Sequence, residues 1–332
     1  MEKTKSLMSR LRTSRELILF FVLIGLCVMF SVLVAGFADV FNIVERSRYW
    51  VVPGMLAVPM TLIIATGGID LSAGSMLGMC GIVLGVLYRD AGWPMALASA
   101  AAVLTGILAG AVNGGLSSFL KIPPLIVTLA TMALYSGIAL ALSQARPIGN
   151  FPLSFQWLGQ GDFFGVEAGS LGEIGFPVPL VALLAVTMVG GLVMRCSWIG
   201  RFAECIGENE LAAEYAAVDV RRLKWLLYTA AGGVCGLGSI YYTSLYATAR
   251  PEAGRGMELE AIACVVVGGT RISGGRGTVT GTFLGLLIIG VLRYGLEMAG
   301  IPSQRLIIFV GVLLIGTAVL NEWLAGKGGQ RQ

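Results

Sequence analysis

The chain has 332 residues, of which 56% are hydrophobic and 13% charged, and its mean hydropathy is +0.83. So little charge cannot clothe a water-soluble domain of this length, which predicts an all-α, polytopic membrane helix bundle embedded in a lipid bilayer. Histidine is absent and the net charge is +4, which excludes histidine-based acid–base chemistry and makes the placement of charge more informative than its total.

The amino-terminal segment 1–16 carries Lys3, Lys5, Arg10, Arg12 and Arg15 and is expected in the cytoplasm by the positive-inside rule. The apolar run 17–37 behind it is too long for the core of a secretory signal and lacks a cleavage site, so it reads as the first span. The next span, 51–66, runs straight into Gly67-Gly68-Ile69-Asp70-Leu71-Ser72-Ala73-Gly74-Ser75 before the chain turns apolar again over 74–88. A carboxylate and a glycine pair at membrane depth predict a broken helix facing protein or a solute path, because lipid leaves bare amides and charge unsatisfied.

Spans follow at 95–118 and 125–143. Gly106, Gly110 and Gly114 form a ridge on the first of these, expected to pack tightly inside one subunit. Segment 144–176, polar and aromatic with few cations, is expected outside, and Asp162 within it is expected to matter less than Asp70. After a span at 177–194, the loop 195–223 holds Arg195, Arg201, Arg221 and Arg222 and is assigned to the cytoplasm. Its apolar residues recur at three- and four-residue intervals after Gly207, predicting one short amphipathic helix over 206–218, too polar to span. Glu204, Glu208, Glu210 and Glu214 make it acidic, which favours a protein partner over a bilayer surface. Gly207, Ala212 and Ala213 are expected to seat it deep in that partner's groove.

The remaining spans are 224–245, 258–269, 278–297 and 303–320, followed by a cytoplasmic tail, 321–332. Ten spans place both termini in the cytoplasm, and 74–88 and 258–269 are short enough to be broken or re-entrant. A second glycine ridge, Gly277, Gly281 and Gly285, lies on the span 278–297. Gly268-Gly269-Thr270-Arg271-Ile272-Ser273-Gly274-Gly275 echoes the segment 67–74, an expected internal repeat of the kind transporters build around broken helices.

The six cysteines are scattered singly and are expected to be packing residues; no metal site, cofactor or nucleic-acid partner is expected. No G-x-x-x-x-G-K-[ST] phosphate loop occurs, so the chain is expected to be a conduit and ATP to be bound by a partner subunit. Two other classes stay open. An ion-gradient carrier or channel would use ionisable residues in the spans, for which Asp70, Arg293 and Glu297 are the candidates. A membrane enzyme is disfavoured by the lack of a nucleophile and base pair.

Four stretches, GGIDLSAGS (67–75), KIPPLIVTL (121–129), GRFAECIGENELAA (200–213) and ELEAIACVVVGGTRISGGRGTVT (258–280), carry a resemblance. In this order the chain resembles the permease subunits of bacterial ATP-binding cassette importers of the ribose, xylose, arabinose and galactose class; rhamnose and autoinducer-2 importer permeases are similar. The resemblance implies residence in the bacterial inner membrane and import of a monosaccharide or related small polar solute. It also implies a permease homodimer or heterodimer, an ATPase subunit on each permease and an extracytoplasmic sugar-binding protein. Gly200, Arg201, Gly207, Glu208, Asn209, Ala212 and Ala213 stand where that class has its ATPase-coupling pattern. Ala217 departs from it, since related sequences place glycine there. Gly67, Gly68, Asp70 and Ser72, with Gly268, Gly269 and Ser273, are the candidates for the translocation path or the helix breaks. For Asp70, bracing the break and touching the solute are both open.

Overall fold

The computed structural model describes residues 2–167 and 173–302 and, beyond them, the single positions 305, 308, 311, 312 and 316. The predicted span 303–320 and tail 321–332 therefore lie outside the described residues for the most part. Thirteen α-helices are described: α1 (Glu2–Leu33), α2 (Val40–Ser47), α3 (Val51–Ala65), α4 (Ala73–Arg89), α5 (Met95–Ser118), α6 (Pro124–Ser143), α7 (Leu153–Gln160), α8 (Val178–Cys196), α9 (Trp198–Glu208), α10 (Glu210–Tyr215), α11 (Val220–Tyr246), α12 (Met257–Val267) and α13 (Val279–Met298). Among the described residues, six helical stretches are long and apolar enough to cross a membrane, which makes the protein a multi-pass helical bundle.

Composition alone does not tell these helices apart, but burial does. The stretch Val40–Ala65 is 89% buried, whereas Arg15–Leu33 is 6% buried. α3 is thus the hub, apolar on every side because protein surrounds it, and α1 is a peripheral helix whose apolar sides are made for lipid. α1 touches the bundle where Phe30 stacks on Phe37 and both meet Tyr294 of α13.

The glycine ridges hold the bundle together within the subunit, as expected. A Cβ on Gly106 would lie 2.2 Å from the carbonyl oxygen of Gly232 in α11, and one on Gly110 the same distance from that of Tyr228. Backbones this close gain dispersion along their whole length, the main source of helix cohesion where lipid removes the hydrophobic drive. Gly281 and Gly285 play the same part between α13 and α12, facing the carbonyls of Gly268 and Cys264.

Several expectations change. The outer segment is not wholly helical: after α7 it forms an antiparallel hairpin, β1 (Asp162–Glu167) with β2 (Glu173–Pro177). Asp162 is not an idle loop residue. It takes a 2.6 Å bond from Arg48, a guanidinium only 4% exposed that also donates to the Gly161 carbonyl and to Glu45 at 3.0 Å; removing the carboxylate would leave that buried charge with the half-exposed Glu45 as its remaining acidic partner. The segment 74–88 is a single unbroken helix of 17 residues, α4, and the break precedes it. The segment 258–269 forms the 11-residue α12, about 16 Å long at 1.5 Å per residue and so about half a bilayer core. The amphipathic helix predicted over 206–218 is two helices, because Asn209 adopts an extended φ of −160° and its Oδ1 accepts the Ala212 N–H, capping α10.

Candidate functional site

The break after α3 sits inside the bundle. Thr66 ends the helix, Gly67 takes a left-handed φ of +79°, and a Cβ on Gly68 would lie 2.8 Å from the Tyr228 hydroxyl. That hydroxyl donates to the carbonyl of Ile69 at 3.3 Å, one of the backbone groups that the break leaves unpaired. Asp70 is 1% exposed. Its Oδ1 accepts the backbone N–H and the hydroxyl of Ser72 at 2.9 and 2.6 Å. Asn113 of α5 donates to the Ser72 hydroxyl at 2.7 Å, and the Tyr135 hydroxyl of α6 donates to Asn113 Oδ1 at 3.0 Å. Two helices, α5 and α6, are thus pinned to the break by one buried polar chain, which fixes geometry more strongly than its members would singly. Asp70 Oδ2 has no hydrogen-bond partner among the described residues.

Asn113 was missed in the sequence, although an amide inside an apolar span is itself a signal. The other ionisable candidates are paired: Arg293 with Glu260, and Glu297 with Arg46 at 3.4 Å.

The echoing segment after α12 makes a second break directly beside the first. Gly269, Gly274 and Gly275 have φ of +91°, +87° and +83°. The Gly275 N–H donates to the carbonyl of Ala65 at 3.0 Å, joining the second break to the end of α3. Gly268 packs on α13, and Ser273 is exposed at the surface of the turn.

The candidates on α9 and α10 divide into two sets. Gly200, Gly207 and Ala213 face inward. A Cβ on Gly207 would come within 2.0 Å of the Ala65 carbonyl oxygen and 2.3 Å of Gly275 N, and Ala213 is buried among Ala203, Ile206 and Leu223. They face this subunit's own backbone and core: Gly207 seats α9 on both helix breaks, Gly200 packs on Met194 of α8, and Ala213 joins α10 to α9 and α11. Arg201, Glu208, Asn209 and Ala212 are exposed, and so are Leu211 and Tyr215, 66% and 90% exposed and one helical turn apart. A cavity of about 390 Å³ flanks α10, lined by Lys121, Pro123, Glu210, Leu211, Glu214 and Arg221 among others. After α10, Ala217 takes a left-handed φ of +61°, with Val218 N–H bonded to the Ala213 carbonyl and Ala217 N–H to that of Glu214. This is the helix-ending turn that glycine fills most easily, so Ala217 keeps the turn at the cost of a left-handed alanine.

A second cavity of about 390 Å³ lies between the start of α4, the middle of α6 and the segment entering α12; Ser75, Met132, Ser136, Glu252, Arg255 and Glu258 are among its lining. Glu258 is 9% exposed and its carboxylate accepts the Gly256 N–H at 3.1 Å.

Interrupted helices, a buried polar chain across the break and charged groups around a cavity between helices define a solute translocator of the membrane. Residues 42–318 match the family described as the permease component of the branched-chain amino acid transport system. The chain belongs to that permease family. Relatives include the autoinducer 2 import system permease protein LsrD of Escherichia coli (strain K12) and of Shigella flexneri. Each is 35% identical over 334 residues, covering 96% of this chain and 98% of the relative. No solved structure matches. The protein is thus similar to import permeases over nearly its whole length, and it is the permease component of an importer of the ATP-binding cassette type.

Proposed function

We propose that this permease imports a small, neutral, polyhydroxylated solute of the sugar type, with autoinducer 2, named in the relatives, as a member of that chemical class. It works beside a second permease subunit, receives solute from an extracytoplasmic binding protein and contacts an ATPase subunit that binds the nucleotide. The chain forms one permease domain that crosses the inner membrane ten times, with both termini, the loop 195–223 and the tail in the cytoplasm. Its two glycine-rich breaks descend from an internal repeat, an inference supported by their matching sequence and adjacent positions.

The observation that carries the mechanism is the seating of Gly207 against Ala65 and Gly275. Force applied to α9 and α10 by the ATPase reaches both breaks through backbone contacts, with no flexible side chain between. The first break leads into the start of α4, and the second ends α12. These two elements wall the cavity that holds Ser75 and Glu258, so displacement of the coupling helices changes its shape and gives alternating access. On the cytoplasmic surface, Leu211 and Tyr215 are the apolar anchors for the ATPase, with Arg201, Glu208, Asn209 and Ala212 around them.

The test is ATP-driven uptake in proteoliposomes. Tyr215→Asp is expected to leave the permease in the membrane, reduce copurification of the ATPase and abolish uptake. Undiminished ATPase and uptake would remove the coupling assignment, and uptake by the parent that follows an ion gradient without ATP would favour a secondary carrier. Reporters near Asn209 and Gly161 are expected on opposite sides of the membrane.

A further inference from the structure

We propose that the cavity between α4, α6 and the segment Pro251–Glu258 is the station at which the solute is held midway across the membrane, with Glu252 and Arg255 hydrogen-bonding its hydroxyl groups; this rests on the importer reading above and names the site it lacks.

Depth is the first argument. Ser136 lies twelve residues into α6, about 18 Å along the helix at 1.5 Å per residue, near the middle of a hydrocarbon core about 30 Å thick. The segment entering α12 reaches the same level, because a Cβ on Gly78 of α4 would lie 2.8 Å from the Ala253 carbonyl oxygen and 2.9 Å from that of Pro251. Gly78 is itself eleven residues short of the α4 end at Arg89. Glu252, Arg255 and Glu258 therefore stand at the depth where charge is most costly, and where ionisable residues mark solute pathways.

Chemistry is the second. One wall of the cavity carries a guanidinium, two carboxylates and the Ser75 hydroxyl; the other, on α6, offers Met132, Ala133 and Leu140 beside Ser136. A ligand with hydroxyls along one edge and C–H groups on its face satisfies both walls. An anion would meet two carboxylates and a cation would meet Arg255, whereas a neutral polyol can donate to the former and accept from the latter. The volume, about 390 Å³, falls in the small-ligand range of about 300–1,000 Å³.

The open side is the third. Ala133, Leu140, Glu252 and Arg255 at the rim are exposed, and a charged rim at this depth cannot face hydrocarbon. The second permease subunit closes it.

The experiment uses the assembled importer with its ATPase and binding protein in proteoliposomes. The probes are D-ribose, D-xylose, D-galactose and ribitol, with D-ribose 5-phosphate and D-glucosamine as charged counterparts. The parent is expected to take up at least one neutral probe and to reject the charged ones. Glu252→Gln and Arg255→Gln are expected to lower uptake at limiting solute by about tenfold or more, the effect of losing a hydrogen bond to a charged group. They are also expected to reorder the accepted neutral probes, which a purely structural role would not do. In a chain carrying Cys196→Ser and Cys205→Ser, which removes the exposed thiols, Ala133→Cys is expected to react with an aqueous maleimide more slowly when the transported probe is present. Unchanged uptake and ranking in both charge variants, or labelling unaffected by a probe that is transported, overturns the site. Uptake of none of the neutral probes, or preference for a charged one, overturns the solute class. Uptake without ATP overturns the importer reading instead, and the labelling still judges the cavity.

Discussion

The two helix breaks share four residues in eight and are held by different means. At the first, side chains do the holding: Asp70, Ser72, Asn113 and Tyr135 form one buried chain, and Tyr228 covers the Ile69 carbonyl. At the second, the backbone does. Arg271 and Gly274 close the turn on main-chain bonds to Arg276 and Arg271, three glycines take left-handed angles, and Thr278 caps α13 by accepting the Gly281 N–H. The difference follows from surroundings. The first break is enclosed by α5, α6 and α11 and must satisfy its polar groups with side chains, while the second is partly exposed and lies under α9 and α10. One break is fixed to the bundle by side chains, and the other carries α9 on its backbone.

The severest challenge to that contrast is Gly274→Val. The residue's φ is +87°, and a Cβ would lie 2.9 Å from both Gly207 Cα and Gly67 N, so strain and overpacking together are expected to cost about 3 kcal/mol or more. Loss of folded protein from detergent extracts is the readout; a variant that melts like the parent would mean that the breaks and α9 are not packed as described.

Matched serines give a sharper test. Ser72→Ala removes a donor to Asp70 and the acceptor for Asn113, an expected loss of about 2 kcal/mol, whereas the exposed Ser273 should tolerate alanine to within about 0.5 kcal/mol. Equal shifts in melting temperature would erase the distinction between side-chain and backbone support.

Gly269→Ala isolates conformation from packing. Its φ is +91° and nothing lies within 4 Å of a Cβ there, so only backbone strain of about 1 kcal/mol is expected, less than at Gly274. Equal losses at the two glycines would mean that the contact with Gly207 contributes little.

The smallest effect expected is a gain. Ala217→Gly relieves a left-handed alanine and should stabilise the protein by about 0.5 to 1 kcal/mol. A lower melting temperature for that variant would show that the turn after α10 is not the one described.

Much of this architecture was legible because periodicity and composition are local. Apolar length located the described spans to within a few residues, and the four-residue spacing of Gly106 and Gly110 announced the α5 seam. The break was readable from Gly67 to Asp70 because charge and glycine together have few uses inside a bilayer. What escaped depends on distant partners or on a single backbone angle. Nothing local says that Asn113 reaches Ser72, or that Arg48 reaches Asp162. The split at Asn209 was written in a good capping residue, yet the apolar spacing continued across it and concealed the kink. The run from Pro251 to Gly256 fell between two predicted spans, and only its approach to Gly78 places it deep among the helices.

The glycine seam between α5 and α11 also limits how the protein can move. Sliding α5 by one turn would put Ala102 where Gly106 now meets the Gly232 carbonyl, driving a methyl carbon to a separation of 2.2 Å. With no rotamer available to absorb that collision, the two helices resist sliding in that direction and act against it as one strut. Whatever changes shape during a transport cycle must pivot about that strut, and a covalent cross-link along it should leave turnover intact.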